Sequence, residues 1–446
     1  MDHKKVLLIY QCPFKKKVYI NIAPPLGLLS ISSYLDSRGI PNEVIDCNIE
    51  DLGEISIKDF DVIGFSVNIA NAAHSLHCAE EIKKEFPHKK IIFGGPHCTG
   101  NPVYFAEKKF IDAVIIDEGE ETFYDYLTKD NLREVKGLYF KNADGQVIFT
   151  NHRGYIKNLN LLPFPALDKI DIRKYNYFPK KALPISSIIT SRGCPYKCTF
   201  CFHGLGFKWR CRSPENVVDE IDWQVNKLGI KELRIYDDNF ALDRERAEKI
   251  CDLILEKNIK VKIRFANGIR FEHLDKKLLK KLKEAGTYFI SIAPESGSLR
   301  TLRRLNKWPQ FDEKKLIEII DACKELQILT FAFFMIGLPW ETESDISDTI
   351  RLALRLDTDM AQFTKFVFYS KIPLYYERAI SDSSQYDYEQ EKSHFYCEDD
   401  VGLRKMMKKA YRSFYLRPTK ILNLLRNFSL DDLLRLAKFA IITKNI

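Results

Sequence analysis

The chain lacks any run approaching the roughly 18 apolar residues that a membrane-spanning helix needs, so no segment is expected to cross a bilayer. The opening MDHKKVLLIYQCP holds only the short apolar run VLLIY, too short for the core of a secretory leader. That run reads as a first strand and the protein as cytoplasmic. No G-x-G-x-x-G follows it, which removes the dinucleotide fingerprint. Charge of one sign is not in large excess: the net +8 is spread over 446 residues. The basic stretches RKMMKKAYR (404–412) and RPTK (417–420) read as a solvated face, and no RNA-binding module accompanies them. Nucleic acid is therefore not an expected partner. A disulfide framework is not expected either, since eight of the 11 cysteines stand singly: Cys12, Cys47, Cys78, Cys98, Cys211, Cys251, Cys323 and Cys397.

What is present is a folded chain, 45% hydrophobic and 29% charged, with material for two or three domains. Up to about residue 125 short apolar runs alternate with helical periodicity. VLLIY (6–10), EVIDC (43–47), DVIGFSV (61–67), KIIFGG (90–95) and AVII (113–116) read as strands. LGLLSISSYLDSRG (26–39) and AAHSLHCAEEIKKEF (72–86) read as helices between them. Five such units predict a flavodoxin-like (Rossmann-like) parallel sheet over 1–150. GLYFKNADGQVIFTN reads as a hairpin turning at Asp144-Gly145. A proline-bearing connector spans 151–184.

From 185 the alternation resumes with a longer beat. Strand-like runs begin at 185, 232, 261, 288, 329 and 362, separated by helices. Six βα units over 185–375 predict a partial (β/α)6 barrel, open at one side. Residues 376–446 start polar and turn helical. SLDDLLRLAKFAIITK (429–444) reads as a packing helix, with contact to a membrane surface as a lesser alternative.

The informative cluster is TSRGCPYKCTFCFHG (190–204). Cys194, Cys198 and Cys201 are spaced C-x3-C-x2-C. They follow the first strand of the second series, at the carboxyl end where barrel active sites lie. Three thiolates suit either a structural zinc completed by His203 or Cys211, or a four-iron cluster with one open iron. Spacing alone leaves both open. Further candidates stand at strand carboxyl ends in the first series. They are Ser66 and Asn68, then Gly94, Gly95, Pro96 and His97, then Glu118, Gly119 and Glu120 after Asp117. Each is an ordinary βα turn taken singly; three at one edge favour a ligand.

The triplet, with aromatic Phe200 before its last cysteine, resembles the signature of radical S-adenosylmethionine enzymes. PENVVDEI (214–221), IYDDNF (235–240), IAPESGS (292–298) and MIGLPWET (335–342) are similar to further motifs of that family. PPLGLLSISSYLDSRGI (24–40), GFSV (64–67), FGGPH (93–97) and DEGEETF (117–123) resemble the cobalamin-binding domain that precedes one large class of these enzymes. AYRSFYLRP (410–418) resembles their tail. The resemblance covers nearly the whole chain. It implies a 4Fe-4S cluster on Cys194, Cys198 and Cys201, with S-adenosylmethionine on the open iron. It also implies Phe200, Asp238, Asn267, Glu295, Ser296, Gly337 and Pro339 around that cosubstrate. Leu26, Gly27 and the three strand-end turns would hold cobalamin. Asp237-Asp238-Asn239 replaces the Gly-Gly-Glu of many relatives. The Asp-x-His-x-x-Gly that supplies a histidine to cobalt is absent from 1–150, and Asn68, Asn71 and His74 are the candidates beneath the metal. The activity implied is radical methylation of an unactivated carbon, with cyclisation, rearrangement or dehydration as the alternative. The expected partners are a small-molecule substrate and an electron donor such as flavodoxin or ferredoxin.

Overall fold

The computed structural model describes residues 4–12, 22–308, 310–366, 401–430 and 432–434. The chain falls into two compact units, Met1–Tyr175 with His203–Gly206, and Asn176–Phe202 with Phe207–Ile446.

The first unit is built on seven strands: β1 (Val6–Tyr10), β2 (Asn42–Asp46), β3 (Val62–Ser66), β4 (Lys90–Gly94), β5 (Ala113–Ile115), β6 (Leu138–Lys141) and β7 (Val147–Phe149). Their order is β2-β1-β3-β4-β5-β6-β7. The first five are parallel, and the hairpin β6–β7 adds antiparallel at the edge. The 2-1-3-4-5 order is that of flavodoxin-like sheets, with a topological switch point between β1 and β3. The sequence explains the layering. Val6, Leu7, Leu8 and Ile9 are all fully buried, as a parallel strand covered on both faces requires. Helices α1 (Leu26–Asp36) and α5 (Glu120–Thr128) pack on each other. At Gly64 a Cβ would come within 2.9 Å of Leu8 Cδ2 and the Phe123 ring, so α5 sits on β3 only because that side chain is missing. Helix α2 (Ala72–Glu85) follows β3, and the short α3 (Pro96–Gly100) and α4 (Pro102–Ala106) follow β4. Gly145, at φ 78°, makes the expected hairpin turn.

The second unit holds six parallel strands: β8 (Ile185–Ile188), β11 (Glu232–Ile235), β12 (Lys262–Ile269), β13 (Thr287–Glu295), β14 (Leu329–Ile336) and β15 (Met360–Lys365). Neighbours follow the order β15-β14-β13-β12-β11-β8, each paired in parallel. This is the expected partial barrel. Between β8 and β11 lies a two-stranded antiparallel ribbon, β9 (Ser191–Arg192) with β10 (Arg210–Cys211). Helices α6 (Pro214–Asn226), α7 (Arg244–Glu256) and α8 (Lys276–Glu284) cover the outer face, where Ile235, Ile263 and Phe265 meet Val217, Ile221, Ile250, Ile254 and Leu282. Ser213 caps α6 by accepting from the Asn216 amide, and Pro214 stands in its first turn. Helices α9 (Leu299–Arg304), α10 (Glu313–Glu325) and α11 (Glu343–Leu356) continue the pattern, α11 starting in a Thr342/Asp345 capping box. Helices α12 (Val401–Tyr415) and α13 (Pro418–Asn427) follow, α12 against β15 and α11. The polar stretch 376–400 and most of the helix expected over 429–444 lie outside the described residues. Among the described residues no helix is long and apolar enough to cross a membrane.

Candidate active site

The cysteine loop leaves the barrel just after β8, at its carboxyl end, and the ribbon β9–β10 closes its base. The Asp237 carboxylate accepts from the Thr190 amide (2.6 Å), the Thr190 hydroxyl (2.5 Å) and the Ser191 hydroxyl (2.6 Å). Arg246, buried on α7, donates to the carbonyls of Thr190 and Arg212, both at 2.8 Å. Asp237 is thus a clamp on the loop's root. Asp238, its neighbour, is exposed. Asn239 is buried, and both polar atoms of its amide lack a partner among the described residues.

Gly193, at φ 84°, turns the chain into the loop. The far side of the loop is pinned to the end of α9. Thr199 donates its amide to Leu305 O (3.2 Å) and its hydroxyl to Arg304 O (2.9 Å), while Asn306 Nδ2 donates to Lys197 O at 2.8 Å. Cys198 is buried; Cys194 and Cys201 are partly exposed. Burial pushes the Cys201 thiol up to about 12, with Cys198, Asp238, Cys194 and Glu295 adding to the rise. Cys194 is also raised, chiefly by burial, against the help of the Tyr196 amide and Arg270. The three thiols therefore share one field. Among the described residues no three His, Cys, Asp or Glu side chains gather as a single-ion site. A cubane does not require that, because it carries its cysteine-bound irons at separate corners. Cys211, on the ribbon, is influenced by Arg246, Asp243 and Asp237 rather than by the triplet.

The facing wall comes from β12 and β13. Glu295 ends β13 with φ 69°, a left-handed conformation rare for a non-glycine residue and common at functional sites. Its carboxyl is buried, which raises its pKa against the Lys307 ammonium 3.4 Å away. Arg270, just past β12, stacks on the Tyr196 ring at 3.6 Å and pairs with Glu272 at 2.8 Å. The Tyr196 hydroxyl meets His273 Nε2 at 2.6 Å. Arg270 thus acts on the Cys194 thiol and on the carboxyls of Glu272 and Glu295, and Lys307 on Glu295.

The other candidates divide. Asn267 Nδ2 donates to Tyr236 O (2.9 Å), tying β12 to the end of β11. The Ser296 hydroxyl is fully buried, 3.0 Å from Thr349 Oγ1 and accepting from the Ser298 amide, so it holds the β13 exit together. Gly337, at φ 83°, donates its amide to Glu341 Oε2 (2.8 Å), and Leu403 Cδ2 would lie 2.5 Å from a Cβ there. Pro339 is exposed beside it. Phe200 and Phe202, flanking Cys201, pack with Trp340 on Leu305, Met335, Leu338 and Phe366. Nothing in the sequence flagged Lys307 or the Asp237 clamp; Tyr196 was legible only as the residue between two cysteines.

In the first unit the candidates share the carboxyl edge of the sheet. Gly95, at φ 99°, brings its α-carbon so close to Val67 that a Cβ would lie 2.8 Å from its amide nitrogen and carbonyl oxygen. Pro96 opens α3, and burial of the adjacent His97 imidazole pushes its pKa down to about 4. Gly27, after Leu26 at the start of α1, has open space where a Cβ would stand. Asn68 spends its side chain on its own turn and on Tyr10: Nδ2 donates to the Tyr10 hydroxyl (2.7 Å) and Oδ1 accepts from the Ala70 amide (2.9 Å). Asn71 Nδ2 donates to Ser66 O (3.1 Å), and its Oδ1 accepts from the Asn68 amide. His74 lies exposed on α2. Glu118 and Glu120 face inward, accepting from the Ile156 amide and the Ser30 hydroxyl, both at 2.7 Å, while Gly119 caps α5.

Residues 188–353 match the family model of the radical SAM superfamily, and residues 18–127 match that of the B12 binding domain. An uncharacterized methyltransferase of Pyrococcus horikoshii is 31% identical over 426 residues, covering 90% of each chain. The protein belongs to the cobalamin-binding radical S-adenosylmethionine family. The anaerobic magnesium-protoporphyrin IX monomethyl ester cyclase of Cereibacter sphaeroides is 28% identical over 70% of this chain and 54% of its own. Among solved structures, the radical S-adenosylmethionine methyltransferase TsrM of Kitasatospora setae, with cobalamin and a 4Fe-4S cluster bound, superposes with a TM-score of 0.69 at 18% identity, over 85% of this chain and 78% of its own. The cofactors of the family are a 4Fe-4S cluster, S-adenosylmethionine and cobalamin. The residues present fit them. Three neighbouring thiols stand in one anchored loop, Asp238 acts on two of them, and the next residue, Asn239, is buried with both polar atoms of its amide unpartnered among the described residues. At the sheet edge of the first unit Gly27 leaves open space where a side chain would stand, room suited to a flat macrocycle, whereas the missing side chain of Gly95 is taken up by the close approach of Val67.

Proposed function

We propose that the protein methylates an unactivated carbon of a small-molecule substrate. The observation that carries this reading is the pairing, in one chain, of the three-thiol loop with a cobalamin-type sheet edge, in a protein similar over nine-tenths of its length to a methyltransferase. When bound, the cofactors supply one-electron cleavage of S-adenosylmethionine and a transferable methyl group. Cys194, Cys198 and Cys201 would hold three irons as thiolates. Glu295, Asp238 and Asn239 would receive the ammonium and ribose of the cosubstrate, with Arg270 and Lys307 balancing the charge. Phe200 and Phe202 shield the loop from water and oxygen through their packing on Met335 and Leu338. A flavodoxin or ferredoxin would deliver the electron.

The test is an anaerobic assay with methyl-deuterated S-adenosylmethionine and substrate extracts of the host. Product carrying the labelled methyl supports the reading; 5′-deoxyadenosine without any labelled product overturns it. The second outcome favours a cyclase or rearrangement enzyme, the alternative to which the magnesium-protoporphyrin cyclase relative points.

A further inference from the structure

Residues 401–430 hold eight lysines and arginines and no aspartate or glutamate; acids bound the stretch only at 398–400 and 431–432. On α12 the cations Arg404, Lys405, Lys408, Lys409 and Arg412 recur at steps of three and four and so share one face. Met406, Ala410 and Phe414 bury the opposite face. Lys405, Lys409 and Arg412 are exposed, and among the described residues they make no ion pair. The Leu416 amide donates to Arg412 O at 3.0 Å, which sets Leu416 one turn beyond the basic stripe, 56% exposed. On α13, Ile421, Leu422 and Leu425 also point outward, Leu425 at 59% exposure, and Leu430 and Leu434 follow at 73% and 54%. Helix α13 is held by its other side. The buried Lys420 ammonium donates to Thr358 O (2.6 Å) and pairs with Asp357 (3.0 Å). Asn423 Nδ2 donates to Asp359 Oδ1 (3.1 Å), and Phe428 meets the Phe178 ring at 5.9 Å.

Single exposed leucines are ordinary on a protein surface, but a cluster of them marks a contact. Six of the 13 large apolar side chains exposed among the described residues fall between 416 and 434. Their neighbour on the chain is an acid-free basic stripe, so whatever covers them is anionic as well as apolar. We infer that the outer face of α12 and α13 docks on an anionic lipid bilayer. The leucines and Ile421 enter the boundary between headgroups and acyl chains, and Lys405, Lys409, Arg412 and Arg426 meet the headgroup phosphates. The other occupants fit less of the patch. A second copy would set two stripes of like charge side by side. A nucleic acid would meet the cations and leave the six apolar side chains in water. The proposal is independent of the reaction, because it uses none of the residues at the cysteine loop.

The experiment sediments the full-length, cluster-loaded protein with vesicles of phosphatidylglycerol and phosphatidylcholine, using pure phosphatidylcholine as the neutral control. Binding to the anionic vesicles should be about tenfold or more tighter than to the neutral ones, and should weaken as salt is raised. Leu422→Ser with Leu425→Ser should weaken it about fivefold or more. Lys405→Gln with Lys409→Gln and Arg412→Gln should weaken binding to the anionic vesicles and leave the neutral control unchanged. All five side chains point outward, so both variants should keep the melting temperature of the unsubstituted protein; if one does not, the other carries the test. Equal sedimentation with both kinds of vesicle, or none, overturns the proposal. Binding that the leucine pair leaves unchanged also overturns it, because charge alone would then explain the retention. Sedimentation velocity without lipid gives the remaining outcome: a dimer that the leucine substitutions dissolve would assign this face to a second copy instead.

Discussion

The Tyr411 hydroxyl lies 3.2 Å from the amide nitrogen of Phe363 and 3.1 Å from its carbonyl oxygen, serving both groups of an edge residue at once. One helical turn on, Tyr415 repeats this at Ala361, at 2.9 and 2.7 Å. Strand β15 ends the open sheet, and an unpaired strand edge is a template for aggregation. Two tyrosines of α12 take the place of a seventh strand. Tyr415→Phe should destabilise the second unit by about 1–2 kcal/mol. Thermal unfolding should show a drop of roughly 2–4 °C per kcal/mol, and the double variant with Tyr411→Phe should aggregate faster on warming.

Replacing any one of Cys194, Cys198 or Cys201 by alanine should remove the reconstituted iron-sulfur absorbance and abolish reductive cleavage of S-adenosylmethionine. Cys211→Ala should retain both. Iron and sulfide assays on anaerobically reconstituted protein check this. Equal iron loss in all four variants would point to a ligand set that includes the ribbon cysteine.

Asp237 and Asp238 are adjacent but stand in opposite environments. Asp237→Asn loses a charged acceptor for three donors and should cost about 2–4 kcal/mol, with poorer retention of iron because the loop's root loosens. Asp238→Asn, at an exposed position, should leave the melting temperature within about 1 °C while weakening binding of S-adenosylmethionine. Calorimetry of both variants separates anchoring from binding.

Glu295 is held buried and backbone-strained beside Lys307. Glu295→Gln leaves the Lys307 ammonium without its carboxylate and should cost about 3 kcal/mol of stability, while weakening S-adenosylmethionine binding about tenfold or more. Equilibrium dialysis with the labelled cosubstrate measures it. Unchanged affinity would make Glu295 a partner of Lys307 alone.

His97 links stability to pH. Burial pushes its pKa down from 6.5 to about 4, so the unfolded chain binds the proton more readily than the folded one. Its contribution is complete above pH 6.5 and is lost as the pH falls towards 4, amounting to about 3 kcal/mol over that window. Urea unfolding of cofactor-free protein should show this acid loss flattened in His97→Phe.

Much of the architecture was readable from residue order. VLLIY, EVIDC, DVIGFSV, KIIFGG and AVII became β1 to β5, because β-branched runs of that length bury both faces only inside a parallel sheet. The hairpin turned at Asp144-Gly145 as composition required, and Ser213-Pro214 opened α6. The six later runs became the six barrel strands. The cysteine spacing marked the loop that would carry the cluster, because chemistry at three nearby thiols is a local property of the chain.

Tertiary structure decided which polar residues turn outward and which are consumed in holding the turns. Ser296, Asn68, Glu118 and Glu120 carry the same chemistry as a binding residue, but packing spends their side chains on Thr349, Tyr10, Ile156 and Ser30. Asp237 and Asp238 differ only in the direction that a strand end gives them. Arg234 and Arg264 lie 30 positions apart, and only the register of β11 on β12 sets them side by side. Periodicity along the chain determines the elements, whereas the partner of a charge is chosen by contacts between residues far apart in sequence.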